Sequence, residues 1–151
     1  MNSLYTWLVI LHIFSAIVGV GPGFVLTTIV KNAKTMTEIR FAFQLKMKVH
    51  IFVIIGGMLV LITGLIMGAL KPILFQQGWY VASMLLYFSA LLLGPTLLKR
   101  FSKPIKSLLA DQSIQEVPKT YYQHVKRLLQ TEYVANTLLL IVIFLMITKP
   151  F

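Results

Sequence analysis

VHIFVIIGGMLVLITGLIMGAL, residues 49–70, carries no lysine, arginine, aspartate or glutamate in 22 positions. At 1.5 Å per residue it makes about 33 Å of helix, enough to cross a ~30 Å hydrocarbon core. No water reaches backbone N–H and C=O groups in that core, so such a stretch must close its own hydrogen bonds, as a helix does. The bilayer is therefore the solvent against which the chain is read. Outward from this stretch, apolar blocks over 4–30, 79–98 and 133–148 complete four spans. They predict an all-α integral membrane four-helix bundle, one domain over 1–151. Composition agrees: 58% hydrophobic residues and a mean hydropathy of +0.84 leave too little polar surface to cover a water-soluble domain of this size.

Charge sets the expected orientation. Lys31, Lys34, Arg40, Lys46 and Lys48 follow the first span; Lys99, Arg100, Lys103, Lys106, Lys119, Lys126 and Arg127 follow the third; only Lys71 and Lys149 fall elsewhere. By the positive-inside rule both termini are expected to be extracytoplasmic, with the basic loops inside a bacterial plasma membrane. The first block has no basic stretch before it and no small-residue cleavage site before Lys31, so it reads as an uncleaved helix rather than a signal peptide. The net charge of +10 does not point to nucleic acid, because the bases sit beside the spans instead of on a water-facing scaffold. The absence of cysteine excludes disulfides, thiolate metal sites and cysteine nucleophiles.

Within the spans, Gly19, Gly21, Pro22 and Gly23 predict a kink or local unwinding in helix 1. Gly64 and Gly68 form a small-xxx-small face on helix 2, suited to close helix packing. Trp79 and Tyr80, like Tyr5 and Trp7, suit the outer headgroup level, and the third span is expected to end at Gly94-Pro95. Residues 31–48 are expected to extend helix 2 into the cytoplasm. Residues 118–132 read as an amphipathic segment, with Tyr121, Val125, Leu128 and Leu129 on one side and Pro118 in its first turn. It is expected to lie at the inner interface before turning into the membrane.

Polar residues inside a membrane are expensive and mark the places to look for function. His12 lies about 12 Å below the outer boundary, at the depth of Thr63, Ser83, Tyr87 and Leu140 on the other helices. Either it is a ligand or proton-transfer group, or it is a neutral imidazole tying helices together through one of those hydroxyls. His50, at the inner mouth of helix 2, is roughly 15–20 Å from His12 along the bilayer normal, too far for a shared haem. His124 is expected to face headgroups. Glu132 and Asn136 share a helix face one turn apart. Glu132 can neutralise Lys46, Lys48, Arg40 or a protonated His50; alternatively Lys48, His50, Glu132 and Asn136 form a polar gate, the head of a path toward Tyr87 and His12. There is no phosphate loop, HExxH motif or carboxylate cluster, and no acid near Ser83 or Ser89 to complete a hydrolase.

The sequence resembles a known family. Leu11-His12-Ile13 with Ile17-Val18, a basic segment before Gly57-Met58, Gly78-Trp79 opening helix 3 and Glu132 opening helix 4 are similar to the small four-helix HemJ-type protoporphyrinogen oxidases. The wider group takes in the membrane domain of CopD copper-resistance proteins and uncharacterised small bacterial membrane proteins, which this chain resembles most. The resemblance implies haem b or porphyrin binding through His12, with Ser83 and Tyr87 nearby. The lysine that follows the Gly-Trp pair in those proteins stands here as Ser83, and the arginine before helix 2 as Lys48 or His50. The alternative is a non-catalytic assembly or regulatory subunit, packing on itself or on another membrane protein, with its basic face on anionic lipid headgroups. Copper held by Met58, Met67 and Met84 is a weaker alternative.

Overall fold

Thr35 fixes where the second helix begins. Its hydroxyl accepts the Glu38 N–H at 3.2 Å, while the Glu38 carboxylate accepts the N–H groups of Thr35 at 3.2 Å and Lys34 at 2.8 Å. This capping box satisfies backbone donors that a helix start leaves open. In the computed structural model, which describes residues 3–151, that helix (α2) runs from Met36 to Leu70. Helix α1 spans Ser3–Asn32, α3 Gly78–Leu93, α4 Lys99–Ala110 and α5 Lys119–Thr148. A 3₁₀ turn, Pro72–Gln76, joins α2 to α3. Among the described residues four helices are long and apolar enough to cross a membrane: α1, α2, α3 continued by α4, and α5.

The continuation of α3 into α4 differs from the expectation that the third span ends at Gly94-Pro95. Pro95 has no N–H for the carbonyl of Leu91, and the Gly94 N–H bonds that carbonyl instead. Leu92's carbonyl takes the Thr96 hydroxyl. The backbone passes the proline as a π-helical turn, Gly94–Leu98, and the helix resumes. Helix α1 likewise continues through Pro22, so of the kink or local unwinding expected there, the backbone does not unwind.

Helix α1 packs along α2, α3 and α4 pack on α5, and α1 also meets α5. The closest approach of α1 and α2 is not at Gly64 and Gly68. It is at Gly19 and Gly56, where a Cβ built on Gly19 would stand 2.8 Å from the Gly57 nitrogen and 2.9 Å from the Gly56 carbonyl carbon. Only glycine allows the two backbones to meet there. Gly64 instead faces the His12 ring, and Gly68 faces Tyr80 and Phe75.

Tyr5, Lys71, Trp79 and Lys149 share one end of the bundle, hereafter the terminal end. Lys71 Nζ lies 3.9 Å over the Tyr5 ring and Lys149 Nζ 5.5 Å over Trp79. The Trp79 backbone N–H donates to the Phe151 carbonyl at 3.1 Å, so Phe151 satisfies a donor at the start of α3. Trp79 and Tyr80 are buried rather than turned to headgroups, and Trp7 is exposed.

The best-buried cluster lies at the opposite, basic end. Val30, Ile39, Phe43, Ile105, Tyr121 and Leu128 pack together there, with Val117 and Leu108 around them. Arg40 ties the same end shut by donating to the carbonyls of Leu109, Asp111 and Ile114. Water lies around this end, so apolar burial drives its packing; in the spans lipid is as apolar as leucine, and large side chains stay exposed. The cluster also corrects the reading of residues 118–132. Pro118 caps a helix that continues straight into the fourth span, and Tyr121, Val125 and Leu128 face protein, not headgroups.

Candidate functional site

Periodicity brings stripes from several helices to one place. On α2, Lys46, His50, Val53, Gly57 and Val60 recur at helical spacing, and on α5 Leu128, Glu132, Ala135, Asn136 and Leu139 do the same. Together with Gly23 and Thr27 of α1, and with Tyr87, Leu91, Gly94 and Leu98 leading to Lys99 and Lys106, they line a cleft of about 650 Å³. Its floor is buried: Leu26 and Thr27 of α1, Leu128 and Glu132 of α5. Its rims are exposed: Met47 at 53% and Ile54 at 49% on α2, Leu91 at 36% on α3. The cleft therefore opens sideways between α2 and α3, where lipid lies, and the π-helical turn forms part of one rim.

The basic end of the cleft is charged and the rest is apolar. Glu132 forms an ion pair with Lys46, and its other carboxylate oxygen accepts the Thr27 hydroxyl at 3.0 Å. The single Thr27 hydrogen is shared with the Gly23 carbonyl, 2.8 Å away. The carboxylate thus joins α1, α2 and α5, and the partner it takes is Lys46 rather than Lys48 or Arg40. Lys99, Lys106 and His50 complete this end, and Asn136 lies one turn deeper. Of the four residues read as a polar gate, His50, Glu132 and Asn136 line the cleft, while Lys48 is exposed outside its lining.

Tyr87 closes the far end and donates its hydroxyl to the Gly57 carbonyl at 2.7 Å. His12 lies beyond it. Its Nδ1 is 2.8 Å from the Thr63 hydroxyl oxygen, while that hydroxyl donates to the Leu59 carbonyl at 2.6 Å. The imidazole tautomer sets which of the two donates. Of the hydroxyls expected at this depth, Thr63 is the one His12 engages. Ser83 is fully buried with no hydrogen-bond partner among the described residues, and neither it nor His12 lines the cleft. Gly57 and Gly64 are two turns, about 10 Å, apart along α2, so the hydroxyl of Tyr87 does not hand on to His12. The Tyr80 hydroxyl, in that interval, is occupied by the Gly64 carbonyl at 2.9 Å.

Helical geometry separates the methionines. Met58 and Met67 are nine residues apart, two and a half turns, and so face opposite sides of α2; Met58 is 49% exposed and Met67 is buried. No group of three or more histidine, aspartate or glutamate side chains suited to a metal occurs among the described residues. His124 is half-buried and outside the cleft.

Lys99, Ser102 and Lys106 are cleft residues that the sequence reading placed in a loop. Their i, i+3, i+7 spacing was the available signal, masked by Gly94-Pro95 ahead of it.

Residues 6–150 match a family model described as "Predicted integral membrane protein (DUF2269)". No curated protein and no solved structure matches the chain.

Proposed function

The chain belongs to that family of integral membrane proteins, and from this premise we propose that it binds an amphiphilic anion in the cleft between α2 and α3. The observation that carries this reading is the cleft's polarity: an apolar trench, open to lipid along its side, with Lys46, His50, Lys99 and Lys106 gathered at one end. Ligand sites are mostly apolar with a few placed polar groups, and a carboxylate or phosphate is the group those bases would hold. The reading is one of binding: the polar groups at the basic end are placed to hold a charged headgroup. The basic end faces the cytoplasm of a bacterial plasma membrane, the orientation that the positive-inside rule assigns.

The test is saturable binding of cis-parinaric acid, a fluorescent chain with one carboxylate, to the purified protein in mild detergent. Binding at one site, lost in Ile54→Trp and weakened in Lys99→Ala/Lys106→Ala, supports the reading. Non-saturating partition, equal in wild type and both variants, refutes it.

Haem binding at His12 is the second reading, favoured by a side-chain contact with Thr63 that engages only Nδ1 of the imidazole. It needs partners for the propionates, and the terminal end supplies Lys71 and Lys149, both already over aromatic rings. Absorption spectra of protein purified from haem-replete cells decide it. A near-stoichiometric Soret band that shifts in His12→Ala supports this role, and a colourless wild type removes it.

A further inference from the structure

Resting on the anionic-amphiphile reading, we infer that the cleft takes a phosphomonoester lipid from the leaflet at the basic end. Its doubly charged phosphate sits at Lys99 and Lys106, and one hydrocarbon chain lies along α2.

Charge selects the headgroup. Three lysines line the basic end of the cleft, and Glu132 is already paired with Lys46. Lys99 and Lys106, seven residues apart on one stripe of α4, have no acidic partner within salt-bridge distance among the described residues. A phosphomonoester carries about −1.5 to −2 charges at neutral pH and three acceptor oxygens. It matches two lysines, where a fatty carboxylate or a phosphodiester, with one charge, leaves one of them unmatched. His50 stands beside Lys46, Lys106 and Glu132 and adds a ring N–H donor to the same group.

Length selects the tail. The lining runs along α2 from Lys46 to Val60, fourteen residues or about 21 Å of helix. One leaflet's share of a ~30 Å core is about 15 Å, which leaves the remainder for the headgroup region. Val53, Ile54, Leu91 and Leu139 give this trench apolar walls, which a soluble phosphate ester would not use. The entrance follows from the exposed rims on α2 and α3: a lipid reaches the trench by moving sideways, keeping its phosphate at headgroup level throughout.

The test uses the intact chain in phosphatidylcholine nanodiscs carrying 5 mol% of either dioleoyl phosphatidate or dioleoyl phosphatidylglycerol, with bound lipid counted by native mass spectrometry after release. Phosphatidate is expected to be retained at one per chain in preference to phosphatidylglycerol. The one further lysine that phosphatidate matches, at about 1 kcal/mol, sets the preference lost in Lys99→Ala/Lys106→Ala at about 5-fold. Both side chains are exposed, so this variant keeps the fold, which far-ultraviolet circular dichroism checks. Ile54→Trp, which fills the trench, is expected to release both lipids. Equal retention of the two lipids overturns the phosphomonoester assignment and leaves the anionic-amphiphile reading standing. Retention of neither, with Ile54→Trp indistinguishable from wild type, overturns both. A tetrapyrrole found in the cleft in place of lipid also overturns the lipid assignment.

Discussion

Substituting alanine at Gly19 adds one methyl group to the tightest backbone contact in the bundle. Its Cβ would stand 2.8 Å from the Gly57 nitrogen and 2.9 Å from the Gly56 carbonyl carbon, while ordinary contact begins at 3.4 Å. Backbone cannot rotate away as a side chain can, so α1 and α2 must part by about 0.6 Å, and a gap of that size forfeits roughly a quarter or more of the dispersion energy of each facing atom pair. Overpacking of this kind costs about 1–3 kcal/mol. Gly21→Ala supplies the control. It lies two residues away in the same helix with nothing within 4 Å of its Cβ position, so it shares the alanine's gain in helix propensity, about 1 kcal/mol at most, without the clash. The difference between the two variants isolates the steric cost. Reversible unfolding in mixed detergent and dodecyl sulfate micelles, followed by circular dichroism, should show Gly19→Ala less stable than Gly21→Ala by about 1–3 kcal/mol. Gly56→Ala should fall with Gly19→Ala, and the double variant should cost less than the sum, because both relieve the same contact. Equal stability of Gly19→Ala and Gly21→Ala would refute the close approach of these helices.

Three further outcomes follow from the basic half of the molecule. Glu132→Ala leaves Lys46 unpaired in a low-dielectric cleft and should lower stability by about 2–3 kcal/mol, whereas Lys46→Met/Glu132→Leu should recover most of the loss; unfolding midpoints of the two variants check this. Tyr121 buries a hydroxyl with no partner among the described residues, and burial, helped by Tyr122, pushes its phenol up to about 12. Tyr121→Phe should therefore be neutral or stabilising by about 1 kcal/mol in thermal unfolding, and a clear loss would reveal a partner for that oxygen. The backbone N–H groups of Lys34 and Thr35 hold the Glu38 carboxyl below the ordinary glutamate value of 4.5. The stability this contributes is present above that value and disappears as pH falls through the lowered one. Unfolding followed between neutral and acidic pH should lose that component in Glu38→Gln, and an unchanged pH profile would remove the capping role.

The long-range order of the chain was legible because lipid imposes it. Residues 49–70 had no alternative to a spanning helix, and the expected extension of helix 2 ahead of them is present from Met36. The depth argument also placed Thr63 level with His12, and the two are bonded. What was not legible depended on neighbours. Gly94-Pro95 reads locally as a stop, and only the exchange of Leu91's partner to the Gly94 N–H, with Thr96 taking the Leu92 carbonyl, shows how the helix passes it. Without that continuation Lys99 and Lys106 were loop charges, and the cleft had no second wall. Trp79 and Tyr80 have the chemistry of interfacial anchors, yet the Phe151 carbonyl and the ammonium of Lys149 cover this corner, a contact between residues seventy positions apart. Gly64 and Gly68 carry the usual packing spacing, but which glycines meet is decided by the register of α1, and that register follows from Gly19.

The apolar cluster at the basic end has a consequence for how the molecule is made. Ile39 and Phe43 leave the ribosome with the start of α2, but Ile105 follows about sixty residues later and Tyr121 and Leu128 later still. Insertion of the first spans is a local event for each helix, settled by hydropathy. Closure of the cluster must wait for the last helix, in water, with a hydrophobic face exposed until then. Biogenesis of this chain is thus split between two solvents and two times: the bilayer fixes each span as it arrives, and the aqueous end locks the set only once α5 has followed the other helices.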